Sequence, residues 1–207
     1  AGDIEDAREI MRAGMSAFAD NLIKRLNLDY TVEGKENIPD NGPLLVMANH
    51  QSYFDLVGLF HALQKFHIGM VAKAELKKIK FLRTAIEHTG SVFINRGSSR
   101  DALQTMKTAT ELLKSGDSLG IFPEGTRSRK YEMGEFKTAS FKFAEKAGVP
   151  ILPVSISGAY HLFEEKNSFQ RTPQLIRIHP LVEYGSLPRN ERHVAQAKII
   201  ETIRNGI

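Results

Sequence analysis

The segment from Leu44 to Gln64 is LLVMANHQSYFDLVGLFHALQ, and it contains a strand that leads directly into a helix. Residues 44–48 form an unbroken apolar run, which is typical of a strand buried on both faces of a sheet. Residues 55–64 suit a helix, and Ser52 followed by Asp55 three positions later resembles a capping box at its start. A buried strand followed at once by a helix is the repeating unit of α/β domains.

Strands and helices keep alternating on both sides of this segment. We predict further strands at 28–32, 67–72, 91–94, 118–122, 149–157 and 175–182, and further helices at 4–26, 75–87, from Ser98 or Ser99 up to Gly116, 137–147 and 191–204. Such alternation implies an α/β fold with a mixed, largely parallel sheet flanked by helices. We therefore expect one domain over residues 29–207, preceded by a helical segment over residues 1–28.

The segment 1–28 is amphipathic. Apolar residues recur there at helical spacing, at Ile4, Met11, Met15, Phe18 and Leu22. Two structures fit this pattern, a helix packed on the domain or a helix apposed to a membrane surface. The chain has no apolar run near the roughly 18 residues that span a bilayer. Because it begins with Ala rather than Met, an N-terminal membrane segment that has been removed is compatible with the sequence.

The composition of the 207 residues excludes several classes of function. The chain has no cysteine, so it has no thiol nucleophile, disulfide framework or thiolate metal site, and it suits a reducing compartment. Lys and Arg number 28 against 24 acidic residues, a net charge of +4 that favours phosphate-bearing partners. Nucleic-acid binding calls for aromatic residues interleaved with basic ones, whereas Tyr30, Tyr53 and Tyr131 are scattered. We therefore expect no nucleic-acid partner.

Ligands of open α/β sheets bind beyond the carboxyl ends of the strands, so we searched the residues that follow each predicted strand. His50 follows the 44–48 strand, and Asp55 in the first turn of the next helix can point back towards it. Such a pair fixes the tautomer of the imidazole and leaves its other nitrogen to take a proton. One interpretation is a general base at His50, and the other is a helix cap at Asp55 beside a surface histidine.

Two more predicted strands end near an arginine. Arg96 precedes a helix N-terminus, where backbone amides favour an anion. Residues 122–128 are FPEGTRS, in which the planar Arg127 suits a phosphate and Glu124 can orient that guanidinium or a substrate hydroxyl. Each loop alone is also compatible with a purely structural role. Together with His50 they suggest attack by a hydroxyl on an electrophile, with a phosphate anchoring the substrate.

Four stretches of the chain resemble, in order, the four motifs of the glycerolipid acyltransferase family. Residues 49–55 match the first motif, Asn-His-x4-Asp with Ser two positions after the His, and residues 93–96 match the second, an apolar pair before a polar residue and Arg. Residues 122–128 reproduce every position of the third motif, and residues 149–154 match the apolar fourth. The resemblance covers about residues 30–157, and it implies a fold like that of the glycerol-3-phosphate acyltransferases.

The resemblance also implies a mechanism. His50 removes the proton of the free hydroxyl of 1-acyl-glycerol-3-phosphate, and the alkoxide attacks the thioester of acyl-CoA or acyl-carrier protein, giving phosphatidic acid and a thiol. Asp55 orients His50. The substrate-binding residues that it implies are Lys73, Arg96, Glu124, Gly125, Thr126 and Arg127. Ser52 as an acyl-enzyme nucleophile is the alternative, but it lacks a nucleophile-elbow sequence, so we favour direct transfer.

The resemblance implies neither a metal nor a cofactor, with acyl-CoA or acyl-carrier protein as a substrate; His61 and His67 lack ligand partners at useful spacing. Because the acceptor is a lipid, we expect a cytoplasmic protein that associates peripherally with the membrane surface, through basic residues at 8–25 and 77–83. Two alternatives stay open. One is another acceptor, namely glycerol-3-phosphate, a lysophospholipid or an amino-lipid; the other is a catalytically silent lipid-binding module.

Overall fold

The computed structural model describes residues 2–66, 68–78, 91–94 and 99–207. Within these ranges the strands are β1 (Asp29–Glu33), β2 (Leu45–Ala48), β3 (Ile68–Lys73), β4 (Val92–Ile94), β5 (Ser118–Ile121), β6 (Ile151–Ser157) and β7 (Pro173–Ile178). The α-helices are α1 (Gly2–Leu26), α2 (Asp55–Ala62), α3 (Ser99–Lys114), α4 (Lys142–Ala147) and α5 (Arg189–Asn205). Short 3₁₀ helices lie at Lys35–Asn37, Ala74–Lys78, Thr138–Phe141, Ala159–Leu162 and Tyr184–Ser186.

The strands of the described ranges form one sheet in the order β1-β7-β6-β2-β5-β3-β4. The strands from β6 to β4 are mutually parallel. At the other side β7 runs antiparallel to β6, and β1 is parallel to β7. The predicted mixed, largely parallel sheet with flanking helices is therefore confirmed. The carboxyl ends of β6, β2, β5, β3 and β4 share one edge of the sheet, so the loops that follow them lie side by side.

The central strand β2 is apolar at every position because both of its faces are buried. Leu45 and Met47 belong to the core cluster that includes α3, α4 and α5. Val46 and Ala48 belong to the cluster on the opposite face, which includes α2. Since successive side chains of a strand point to opposite faces, only an unbroken apolar run satisfies both layers.

The helix α1 packs on α2 through its carboxyl-terminal half. Ala19 is fully buried, in a small cluster with Val57 of α2. By contrast, Ile10 and Phe18 are 72% and 52% exposed, although the sequence spacing grouped Phe18 with the buried Met15. Across the described ranges, no helix combines the length and the apolar character that crossing a bilayer requires.

Two predicted elements differ from the observed ones in their length or helix type. The strand expected at 175–182 ends at Ile178, because Pro180 cannot donate to a ladder, and Val182 makes only an isolated bridge to Ile151. The helix expected at 137–147 is a 3₁₀ turn followed by the short α4, which Gly148 ends with a left-handed φ of 74°.

Other predictions fall partly outside the described residues. The helix expected at 75–87 is represented only by the 3₁₀ helix at Ala74–Lys78, since residues 79–90 lie outside. The same holds for most of the basic stretch 77–83, for His67 and for Arg96.

Candidate active site

The imidazole of His50 and the carboxylate of Asp55 form a direct pair at the carboxyl end of β2. His50 Nδ1 lies 2.6 Å from Asp55 Oδ2, the separation of a strong charge-assisted hydrogen bond. Asp55 is fully buried, whereas the side chain of His50 is 19% exposed. The fold thus brings together the two residues that the sequence suggested as a pair, with the carboxylate shielded from water and the imidazole accessible.

Two backbone amides also donate hydrogen bonds to Asp55. Its Oδ2 also accepts the N–H groups of Gln51, at 2.7 Å, and of Ser52, at 2.9 Å. The contact with Ser52 is one half of the predicted capping box. Burial raises the pKa of the Asp55 carboxyl, while the hydrogen bonds from His50 and the two amides lower it. The loop therefore fixes the carboxylate against the imidazole through the backbone.

Ser52 is not the N-cap residue of α2, although the sequence suggested that it was. Phe54 occupies the N-cap position of α2 and makes no side-chain cap. The hydroxyl of Ser52 accepts the N–H of Phe54 at 3.1 Å and donates to Glu164 Oε2 at 2.7 Å. Its proton is thus directed at Glu164 and not at His50.

Phe122, the first residue after β5, fixes the plane of the imidazole. The rings of His50 and Phe122 stack with their centroids 4.0 Å apart and their planes 10° from parallel. Asp55 holds Nδ1, and no residue in the described ranges hydrogen-bonds Nε2 of His50. The ring is consequently fixed in position and in tautomer, with Nε2 as the nitrogen that can accept a proton.

Glu124 stabilises residues 49–54, the loop between β2 and α2, which we call the histidine loop. Its Oε1 accepts the backbone N–H of His50 at 2.6 Å, and its Oε2 accepts the N–H of Gly134 at 2.7 Å. The N–H of Ser128 in turn donates to the carbonyl of His50 at 2.7 Å. Burial raises the pKa of the Glu124 carboxyl, and the two amides lower it. The sequence suggested that Glu124 orients either Arg127 or a substrate hydroxyl. Both of its carboxylate oxygens accept backbone N–H groups, and in the described ranges it makes no ion pair with Arg127.

Two glycines permit this bracing. Gly125 has a φ of 73°, a left-handed conformation that glycine adopts without steric strain, and its N–H closes a turn onto the carbonyl of Phe122 at 3.0 Å. A Cβ on Gly134 would lie 2.6 Å from Oε2 of Glu124. A side chain at residue 134 would therefore force the Glu124 carboxylate to shift.

The carboxylate that pairs with Arg127 is that of Glu164. Arg127 Nη1 donates to Glu164 Oε1 at 2.9 Å, and the pair is shielded, with side-chain exposures of 14% and 3%. The guanidinium carbon also lies 3.4 Å from the centre of the Tyr53 ring, in a cation–π contact. The planar arginine that the sequence singled out is therefore held on an edge by a carboxylate and on a face by an aromatic ring.

Glu164, Tyr53 and Phe122 are site residues that the sequence argument missed. Glu164 follows β6, the strand next to β2, so the rule of searching after each strand could have found it. Glu164 was not considered because it comes seven residues after the end of β6, beyond a 3₁₀ helix. The contacts of Phe122 and Tyr53 carry no sequence signal of their own.

Two of the remaining expected substrate-binding residues, Thr126 and Lys73, lie along the same edge of the sheet. Thr126 is exposed in the loop after β5, and Lys73 is exposed at the carboxyl end of β3. Arg96 would follow β4 but lies outside the described residues. Of the expected set, Glu124 and Gly125 are thus part of the bracing of the loop, and Arg127 is the cation with a fixed position.

Elsewhere, His61 pairs with Asp20 of α1 at 3.0 Å on the surface, away from the histidine loop. Within the described ranges, no three His, Asp or Glu side chains converge as metal ligands do. The site therefore consists of an acid-supported imidazole beside a shielded arginine, an arrangement that can deprotonate a hydroxyl next to a bound anion.

Comparison with known proteins gives concordant results. A family model described as acyltransferase matches residues 29–157. The chain is 33% identical to a solved structure, the 1-acyl-sn-glycerophosphate acyltransferase of Thermotoga maritima. That match has a TM-score of 0.83 and covers 100% of this chain and 82% of the other.

Two curated relatives carry similar names. A 1-acyl-sn-glycerol-3-phosphate acyltransferase of Chlamydomonas reinhardtii is 34% identical over 162 residues, which cover 78% of this chain and 47% of the relative. One of Borreliella burgdorferi is 34% identical over 163 residues, covering 78% of this chain and 64% of the relative. The chain thus spans less than two thirds of the length of either relative.

Proposed function

The chain belongs to the acyltransferase family, and on that premise we propose that it transfers a fatty acyl group to the free hydroxyl of 1-acyl-glycerol-3-phosphate, giving phosphatidic acid. The donor is the thioester of acyl-CoA or of acyl-carrier protein. The relatives and the structural neighbour bear names with this acceptor. The observation that carries the proposal is the pair of His50 and the buried Asp55 at 2.6 Å. Hydrogen bonds of the His50 backbone with Glu124 and Ser128 join this pair to the loop of Arg127.

In this proposal His50 is the general base. With Nδ1–H donated to Asp55, the free Nε2 takes the proton of the acceptor hydroxyl as its oxygen attacks the thioester carbonyl. A tetrahedral oxyanion forms, the carbon–sulfur bond breaks, and the thiolate leaves with the proton that Nε2 had taken. The buried carboxylate of Asp55 stabilises the imidazolium while the proton is held.

Arg127 binds the phosphate of the acceptor. A single hydrogen bond joins its guanidinium to Glu164, and no other described residue accepts from it, so further N–H groups remain for phosphate oxygens. Lys73, at the end of β3, is a candidate to add charge at the same edge of the sheet. Arg96, which follows β4 in the sequence, is a candidate for a further cation. Binding the phosphate places the hydroxyl beside His50, which makes the reaction effectively intramolecular.

Direct transfer is favoured over an acyl-enzyme at Ser52. A serine nucleophile needs its proton directed at a base that can later return it to the leaving group. The hydroxyl of Ser52 donates to the buried Glu164, and it makes no hydrogen bond to His50. Ser52 therefore belongs to the support of the loop in this mechanism.

The test is a matrix of donors and acceptors with the purified protein. Acyl-CoA and acyl-carrier protein are each combined with lysophosphatidic acid, glycerol-3-phosphate, lysophosphatidylcholine and an amino-lipid, and thiol release and lipid products are measured. We expect the highest kcat/KM with lysophosphatidic acid, and phosphatidic acid as product. A higher kcat/KM with another acceptor would replace the proposed substrate, and the absence of any ester product would favour the lipid-binding module.

A further inference from the structure

We propose that Glu164 is a positioning residue that sets the place of the Arg127 guanidinium relative to His50, and through it the recognition of a phosphorylated acceptor. The inference rests on the proposed function. It concerns a residue that lies outside the stretches resembling the family motifs, seven residues beyond the end of β6.

The carboxylate of Glu164 accepts hydrogen bonds from three groups on two loops. Its Oε1 accepts the N–H of Tyr53 at 3.0 Å and Nη1 of Arg127 at 2.9 Å. Its Oε2 accepts the hydroxyl of Ser52 at 2.7 Å. A single carboxylate thus joins the loop after β2, which carries His50, to the loop after β5, which carries Arg127.

The ion pair of Glu164 and Arg127 is shielded from water. Glu164 is 3% exposed and Arg127 14%, whereas the surface pair of Lys65 and Asp40 is 61% and 87% exposed. Exposed pairs exchange partners with water and fix little, but a shielded pair with further hydrogen bonds keeps its geometry. The contact between Glu164 and Arg127 is therefore of the kind that orients a side chain.

The contacts with Glu164 and Tyr53 leave the other N–H groups of the Arg127 guanidinium available. Glu164 takes one N–H of a guanidinium that has five, and Tyr53 covers one face of its plane at 3.4 Å. An edge contact and a face contact together define the orientation of a planar group. The other N–H groups then keep a fixed direction in which a phosphate can bind without reordering the side chain.

Glu164 also offsets the charge of Arg127, and this second effect has the opposite sign. If charge balance were its whole role, Glu164→Gln would leave a stronger cation and lower the KM for lysophosphatidic acid. If Glu164 positions Arg127, the same variant raises that KM, because the amide cannot replace every contact of the carboxylate. The direction of the change separates the two roles.

The experiment measures kcat and both KM values for E164Q, with E165Q as the matched control. Glu165 is the adjacent acid, exposed and paired with His161 at 2.9 Å. For E164Q we expect a roughly 10- to 100-fold higher KM for lysophosphatidic acid, the range for a misplaced binding group, with the KM for acyl-CoA nearly unchanged. E165Q is expected to match the unsubstituted protein. A lowered or unchanged KM for lysophosphatidic acid in E164Q would overturn the inference.

A double-mutant cycle with Arg127→Ala distinguishes this inference from the proposed function. Since Glu164 acts through Arg127, adding E164Q to R127A should raise the acceptor KM no further, whereas a purely structural role would make the two effects add. An unchanged acceptor KM and kcat in R127A would refute the phosphate site itself. A raised KM in R127A with full additivity would refute only the role of Glu164.

Circular dichroism and thermal unfolding check that each variant is folded. Should E164Q not fold, E164D keeps the charge but withdraws the carboxylate by one methylene. The same cycle is then measured with E164D, for which we again expect a raised acceptor KM and no further effect in the R127A background.

Discussion

The imidazole of His50 is restrained by contacts of three different kinds. Asp55 holds Nδ1 at 2.6 Å, Phe122 covers a face at 4.0 Å, and Glu124 and Ser128 hold the backbone N–H and carbonyl. Two of these residues have little freedom themselves, since Asp55 and Glu124 are buried. In the proposed role of general base, an imidazole held this way needs no reordering before it accepts a proton.

Replacing this base is the most direct prediction at the residue scale. His50→Ala should lower the kcat for thiol release from acyl-CoA in the presence of lysophosphatidic acid by about 10²- to 10⁴-fold, because proton removal then falls to water. His161→Ala is the control, since His161 also pairs with a carboxylate, Glu165 at 2.9 Å, but lies outside the site. Turnover of H50A at the rate of H161A would exclude His50 as the base.

At the scale of elements, the loop after β5 is shaped by the absence of a side chain at Gly134. The N–H of Gly134 donates to Glu124 at 2.7 Å, and a Cβ there would approach the same carboxylate to 2.6 Å. Gly134→Ala must therefore shift the Glu124 carboxylate, which also accepts the backbone N–H of His50. We expect a loss of about 1–3 kcal/mol of unfolding free energy, as for other overpacked sites, and a lower kcat.

The control for this prediction is a glycine with open space around it. Gly14 lies in α1, and a Cβ there would meet nothing within 4 Å. Gly14→Ala should raise the unfolding free energy by up to about 1 kcal/mol through helix propensity, with kcat unchanged. Denaturant unfolding and the thiol-release assay measure both variants, and equal stability of the two would contradict the crowding argument.

A second prediction for elements concerns Ser155 of β6, which links α5 to His179, the residue after β7. His179 Nε2 lies 2.7 Å from the hydroxyl of Ser155, which donates to the carbonyl of Ile203 in α5. Burial, and to a smaller extent the charge of Arg177, lower the pKa of His179. The unfolded chain therefore binds a proton near pH 6.5, where the folded protein does not, so the unfolding free energy falls as the pH drops below about 6.5.

The change of the unfolding free energy with pH that His179 causes has an upper limit, and one substitution should abolish it. One proton changes the unfolding free energy by at most about 1.4 kcal/mol per pH unit. His179→Gln keeps a partner for Ser155 but cannot be protonated, so its unfolding free energy should vary less steeply between pH 7 and 5 than that of the unsubstituted protein. Equal slopes in urea unfolding at several pH values would show that His179 does not contribute.

How far the sequence predicts the structure depends on the separation of the groups that meet. His50 and Asp55 are five residues apart, within one strand–helix connection, so a local pattern was enough to pair them. Ser52 and Glu164 are 112 residues apart, and their contact depends on β6 lying beside β2, an order that the sequence does not reveal. Glu124 was expected to orient either Arg127 or a substrate hydroxyl, whereas its two carboxylate oxygens accept the backbone N–H groups of His50 and Gly134.

At the scale of the whole molecule, α1 lies where it could link the site to a lipid surface. It packs on α2, and α2 begins at Asp55 of the proposed catalytic pair. Phe18 is 52% exposed, and Lys24 and Arg25 in the last turn are exposed as well. A helix that presents an aromatic side chain and basic residues to solvent suits the surface of an anionic membrane, which is where the proposed acceptor resides.

The corresponding prediction is that Lys24→Ala with Arg25→Ala weakens binding to phosphatidylcholine vesicles that contain phosphatidylglycerol. Each basic residue near such a surface contributes about 1 kcal/mol, so the double variant should bind roughly 30-fold more weakly at low salt, and the difference should shrink as salt is added. Lys142→Ala with Lys146→Ala is the matched control, because both lysines are exposed on α4, which packs into the core cluster on the opposite face of the sheet. Flotation of the vesicles measures both. Equal loss in the two double variants would mean that binding follows net charge, and α1 would then be a helix whose only partner is the domain.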